Sequence, residues 1–100
     1  MRKPSEILAD MERKCQCKGA YRDGNKVCFN GAIMKEWGLF NNSGGVEIFQ
    51  YQDVLMKVLT DMGENPISGF VINELACFND KYPFSKGKQK AIKFLQELGL

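Results

Sequence analysis

Four cysteines, Cys15, Cys17, Cys28 and Cys77, are the side chains of this 100-residue chain whose type best suits chemistry. There is no histidine, which removes imidazole acid–base catalysis, histidine-based triads and His-ligated metal sites. Thiolate zinc sites favour pairs separated by two to four residues. Here Cys15 and Cys17 leave one residue between them and the other two cysteines stand alone, so we read no metal and no cofactor. With no secretory segment in view, free thiols are expected rather than disulfides. Cys77, inside an apolar segment, reads as a small core residue.

Cys28 is the one candidate nucleophile. It falls where a helix should begin, and unpaired backbone N–H groups at such an end favour the thiolate and lower its pKa. Gly31, one turn on, lets a second segment approach, and Asp80 is a carboxylate that could meet the thiol. Against catalysis, no histidine base accompanies Cys28, and a carboxylate beside a thiol raises its pKa. The stronger reading is structural. Cys28 fills space where helices cross, and Asn79 and Asp80 make the turn before Ser85 and the last helix. We therefore assign no catalytic residue. The Gly pair in Asn41-Asn42-Ser43-Gly44-Gly45 lacks the Gly-Lys-Ser/Thr ending of a phosphate loop and reads as a turn.

The elements that must position these residues are mostly helical. A first helix is expected over 5–14, capped by Ser5, with Ile7, Leu8, Met11 and Cys15 on one face. Arg22-Asp23-Gly24-Asn25 is a turn signal within a short hairpin near 18–28 that has Tyr21 and Val27 on its arms. A second helix spans about 28–37 on the spacing of Phe29, Ile33 and Trp37 with Ala32, and Gly38 then Leu39 suits its stop. A third, about 50–62, carries the stripe Tyr51, Val54, Leu55, Val58, Leu59 and Met62 and ends at Gly63. Segment 67–78 is apolar nearly all round, which predicts a buried central helix entered at Asn65-Pro66 and closed by Asn79-Asp80, with a buried strand as the competing reading. The last helix covers about 86–98, capped by Ser85, with Ala91, Ile92, Leu95 and Leu98 inward. These make a mainly α, compact, single-domain bundle of about five helices over 1–100, with a short β-hairpin.

Charge is unevenly placed. Net charge is +2 overall, but +3 over 1–26, zero over 27–45, −5 over 46–80 and +4 over 81–100. If the ends fold together, Lys86, Lys90 and Lys93 form a basic patch beside Tyr82 and Phe84. Such basic residues with adjacent aromatics would suit nucleic acid or a phosphorylated ligand, and with Trp37 a small nucleotide-like one. The commoner fate of such lysines is a solvated helix face, and +2 is far from a dedicated nucleic-acid binder. No apolar run approaches the roughly 20 residues of a membrane span. Asp10 and Glu12 interrupt the basic start, so no signal peptide is read and a cytoplasmic setting is expected. Phe40, Ile48 and Phe49 lie outside the strong stripes, and a homodimer through such a face would supplement a small core.

Three motifs, Lys18-Gly19-Ala20-Tyr21, Cys28-Phe29-Asn30-Gly31-Ala32 and Phe78-Asn79-Asp80, run in order across about residues 17–98. On these the chain resembles a family of short uncharacterised proteins of bacteria and their phages. That family carries a Lys-Gly segment, Cys-x-x-Gly-Ala and a late Asn-Asp before a final helix. The chain departs from it at Cys17, where the family has an aromatic, and at Lys35, where it has Arg. The resemblance implies a small mainly helical domain with Gly19, Cys28, Gly31, Ala32, Asn79 and Asp80 as its motif residues. It implies no activity. Its phage occurrence implies an accessory protein that binds a host protein in the host cytoplasm and blocks a defence system.

Overall fold

The computed structural model describes residues 2–40, 48–63 and 68–100. In chain order these form helix α1 (Pro4–Ala9), a 3₁₀ turn (Arg13–Cys15), strands β1 (Arg22–Asp23) and β2 (Lys26–Val27), and helices α2 (Phe29–Glu36), α3 (Ile48–Asp61), α4 (Ser68–Lys81) and α5 (Phe84–Glu97). The mainly helical bundle with a small hairpin is therefore the observed architecture. The strands pair antiparallel, Arg22 with Val27 and Asp23 with Lys26. The radius of gyration is 12.5 Å, close to the roughly 13 Å of a compact 100-residue domain.

One core joins all five helices. Leu8, Phe29, Ile33, Met34, Tyr51, Leu55, Leu59, Val71, Leu75, Ala91 and Leu95 are fully or almost fully buried. On α3 the buried stripe is Tyr51, Leu55 and Leu59, with Val54 and Val58 half-buried beside it. Helix α1 packs on α5, and Ser5 ties them by donating both its N–H and its hydroxyl to the Leu100 carbonyl at 3.1 Å. Gly38 (φ +71°) and Gly63 (φ +80°) take the left-handed conformation that stops α2 and α3 as expected.

Several boundaries differ from the sequence reading, each for a local reason. The first helix ends at Ala9, not at residue 14. Lys88 reaches across from α5 and donates to the carbonyls of Ala9 (2.8 Å) and Met11 (3.0 Å), so a lysine ammonium from a distant helix takes the place of the next helical turn. Ser5 is not its cap, because Pro4 opens the helix and the Ser5 hydroxyl is spent on Leu100. Ser85 does not cap α5 either; Pro83 occupies that position without a side-chain bond. Met62 falls beyond α3 and is 40% exposed. Helix α4 runs three residues past Phe78, so Asn79 and Asp80 are helical and make no turn. Nor is α4 buried all round, since Phe70 is 51% exposed and Cys77 is half-buried rather than core. Phe40 and Ile48 pack against the core, leaving Phe49 as the exposed member of that trio. The turn read at 41–45 and the Asn65-Pro66 start lie outside the described residues.

Two helical glycines are sites of close approach. A Cβ on Gly31 would overlap the Tyr21 carbonyl oxygen, and one on Gly87 would overlap the Phe78 carbonyl. Gly69, also helical, has open space around it. Gly31→Ala and Gly87→Ala are each expected to cost about 2–3 kcal/mol through forced backbone shifts. Gly69→Ala is expected to gain up to about 1 kcal/mol from helix propensity. Urea unfolding of the three variants checks this order.

Candidate functional site

The three motifs separated in sequence meet at one place, and Asn79 joins them. Its side chain is fully buried in the last turn of α4. The Asn79 Oδ1 accepts from the Phe29 N–H at 3.1 Å and from Gln16 Nε2 at 3.0 Å. Its Nδ2 donates to the Cys17 carbonyl and to Asp80 Oδ1, both at 2.9 Å. All four hydrogen-bonding capacities of the amide are thus used. The Phe29 N–H is one of the orphan donors at the start of α2, so an asparagine from another helix completes that terminus. Asp80 Oδ1 also accepts from the Gly19 N–H at 3.2 Å, which anchors the Lys18-Gly19 segment on α4.

Cys28 is the N-cap of α2. Its Sγ accepts from the Gly31 N–H at 3.3 Å, and its own N–H donates to the Tyr21 carbonyl at 3.2 Å. The same carbonyl lies against Gly31, so the second segment that Gly31 admits is the hairpin's first arm. Ala32, next in the motif, is half-buried and packs against the core. A pocket of about 240 Å³ opens here, lined by Gly19, Ala20, Tyr21, Cys28, Ala76 and Asp80.

The chemistry of this pocket is that of a neutral thiol beside a carboxylate. Burial pushes the Cys28 thiol up to about 11, with the hydrogen bond from Gly31 opposing and the charges of Cys17 and Asp80 adding to the rise. The helix start was expected to favour the thiolate. It does so through the Gly31 N–H, but desolvation outweighs that contribution and the net shift is upward. Burial also raises Cys17. All four cysteines are free thiols, and among the described residues no group of three or more Cys, Asp or Glu is placed to hold a metal ion.

The basic patch forms in part. The ends do fold together, and Lys18 Nζ donates to the Tyr82 carbonyl at 3.1 Å. The ammonium groups of Lys86 and Lys90 lie 5.6 and 5.1 Å from the Tyr82 ring centroid, within cation–π range. Lys93 is exposed and shares their helix face by spacing. Phe84 instead packs on Phe29, 6.4 Å between centroids, with Lys88 over its ring. Trp37 is not brought to Tyr82. Its indole N–H donates to the Arg2 carbonyl at 3.1 Å, its ring meets Tyr51 edge-on at 6.2 Å, and it lines a separate pocket with Arg2, Pro4, Val58 and Leu100.

Sequence reasoning missed three features. Gln16 gave no signal before its Asn79 partner was known. Asn30, inside the second motif, is fully buried; it donates to the Ile72 carbonyl at 2.8 Å and accepts from the Tyr51 hydroxyl at 2.8 Å. Phe70 and Phe78 were hidden within an apolar run that read as core, and Phe94 lay outside the inward stripe read for the last helix. Comparison with protein-family models, with curated proteins and with solved structures finds no match to the chain.

Asn79→Ala strands the Phe29 N–H and the Cys17 carbonyl and is expected to cost about 2–4 kcal/mol in urea unfolding. Cys28 also gives the fold an alkaline limit. The unfolded thiol ionises near its ordinary value of 9.0, while the folded one holds its proton to about 11. The stabilisation is complete below pH 9 and is lost as pH rises to 11, about 3 kcal/mol in all. Unfolding curves across that window should show the loss, and Cys28→Ser should reduce it. Timed iodoacetamide labelling at pH 7.5 should modify half-buried Cys15 and Cys77 well before Cys28.

Proposed function

We propose that the chain is a binding protein that acts by occupying a partner and not by catalysis. The observation that carries this reading is the outer face of α3. Phe49 is 79% exposed and Met56, seven residues on, is 40% exposed, with exposed Asp53 between them. Seven residues is two helical turns, so all three share one face. Large apolar side chains grouped in this way on a small domain suit a protein interface. The residues best suited to chemistry are, by contrast, spent on the fold. Cys28 caps a helix as a neutral thiol, and Asn79 has no bonding capacity left over. A thiol enzyme built on Cys28 has this geometry against it.

The sharpest form of the proposal is a phage accessory protein that binds a host protein and inhibits a defence system. The three motifs that carry the resemblance support it, and they are the residues that build the Asn79 knot. A second reading, a sponge for a nucleotide-like ligand, is favoured by the two ammonium groups gathered on Tyr82.

The test pairs capture with phage challenge. Tagged chain is expected to retain a specific protein from host lysate, and Phe49→Ala/Met56→Ser to lose it with an unchanged melting temperature. Cys28→Ser is expected to protect a defence-sensitive phage as well as the native chain does. Loss of protection in a folded Cys28→Ser protein would overturn the non-catalytic reading. A homodimer in native mass spectrometry that the α3 double variant dissolves would give that face to a second copy and overturn the host-partner form.

A further inference from the structure

A row of aromatic rings crosses the seam between α4 and α5. Phe70 meets Phe94 at 5.9 Å between centroids, Phe94 meets Phe78 at 5.8 Å, and Phe78 meets Tyr82 at 6.4 Å. None of the four is fully buried, and Phe70 is 51% exposed. The Tyr82 end is basic, with Lys86 and Lys90 at its ring and Lys18 on its carbonyl. Lys86 and Lys90 are four residues apart on one helix, a like-charge spacing that disfavours the helix unless an anion answers it. Towards the other end, Glu74 stands four residues from both Phe70 and Phe78 on α4, and Glu97 three residues from Phe94 on α5. Two ammonium groups thus gather on the Tyr82 ring, while the phenylalanines are flanked by charges of both signs, Lys93 beside Phe94 among them.

We infer that this row is a binding surface for single-stranded nucleic acid, with phosphates on Lys18, Lys86 and Lys90 and unstacked bases on the phenylalanines. The occupant follows from the pairing of two chemistries. Lysines alone would suit any polyanion, and exposed rings alone would suit a protein. Rings in sequence with ammonium groups at one end match a strand that offers base faces and phosphates together. A duplex keeps its base faces stacked internally and offers the row only its phosphates. The row belongs to α4 and α5 and the other proposed face to α3, so variants of each test the two proposals separately, while the nucleotide reading shares Tyr82, Lys86 and Lys90 with the row.

Fluorescence anisotropy of the full chain with a fluorescein-labelled oligothymidylate of about twelve nucleotides tests it. With three phosphate contacts, affinity should fall roughly twentyfold between about 50 and about 200 mM salt. Lys86→Gln/Lys90→Gln leaves one contact and should reduce that fall to roughly threefold. Phe70→Ala, at an exposed ring, should weaken binding roughly fivefold or more. Glu74→Gln should strengthen it, and Phe49→Ala/Met56→Ser should leave it unchanged. All variants are compared at equal melting temperature. No anisotropy change with the native chain overturns the inference, as does a salt dependence that the lysine variant does not flatten. Equal binding of a blunt duplex of the same length, unaffected by Phe70→Ala, overturns the stacking role. Capture of a protein through this face with the oligonucleotide silent assigns the row to a protein partner and overturns it as well.

Discussion

The buried amide of Asn79 is the constraint on which the irregular segment between α1 and α2 depends. The chain between α1 and α2 has a single 3₁₀ turn and a hairpin of two-residue strands, too little regular structure to hold itself in place. Asn79 supplies what is missing. It binds the Cys17 carbonyl and the Gln16 amide on one side and the first N–H of α2 on the other. Asp80, next to it, holds the Gly19 N–H. A helix thus acts as the template on which an irregular segment is laid, and the position of Cys28, the shape of its pocket and the place of Tyr21 follow from that docking. The full saturation of the amide makes the arrangement specific, since a half-satisfied buried amide would cost more than an apolar residue.

Close backbone approach is the second theme. At Gly31 the hairpin carbonyl of Tyr21 touches α2, and at Gly87 the Phe78 carbonyl of α4 touches α5. Both contacts bring polar backbone into places where a side chain would normally intervene. The first lies beside the buried Cys28 cap. The second lies at the seam between α4 and α5 along which Phe78, Phe94 and Tyr82 are half-buried.

Much of this was legible in the residues. The stripe Tyr51, Leu55 and Leu59 and the stop signals at Gly38 and Gly63 give the helices and their ends, because apolar spacing and left-handed glycines are local facts. The role of Gly31 was legible for the same reason: a glycine inside a helical pattern invites a neighbour. The misread positions are those decided by distant partners. Ala9 ends its helix because of Lys88, 79 residues away, and Asn79 looked like a turn residue because its partners, Gln16, Cys17 and Phe29, are 50 or more residues distant. The thiol of Cys28 was placed at the right helix end with its two opposing influences, the helix N–H groups and Asp80, but not the larger one, since spacing reveals a helix terminus and not how dry it is.

The tie between Ser5 and Leu100, together with the reach of Lys88 to Ala9 and Met11, places the most distant parts of the chain in one packing layer. Helix α1 has six residues, far below the length at which a helix stands alone in water. Its supporting partner, α5, begins at Phe84. During synthesis at roughly 5–20 residues per second, α1 therefore waits on the order of ten seconds for the segment that will cover Ile7 and Leu8. A short helix near the start of the described residues thus depends on packing against a segment far along the chain, a long-range contact of the kind that slows folding.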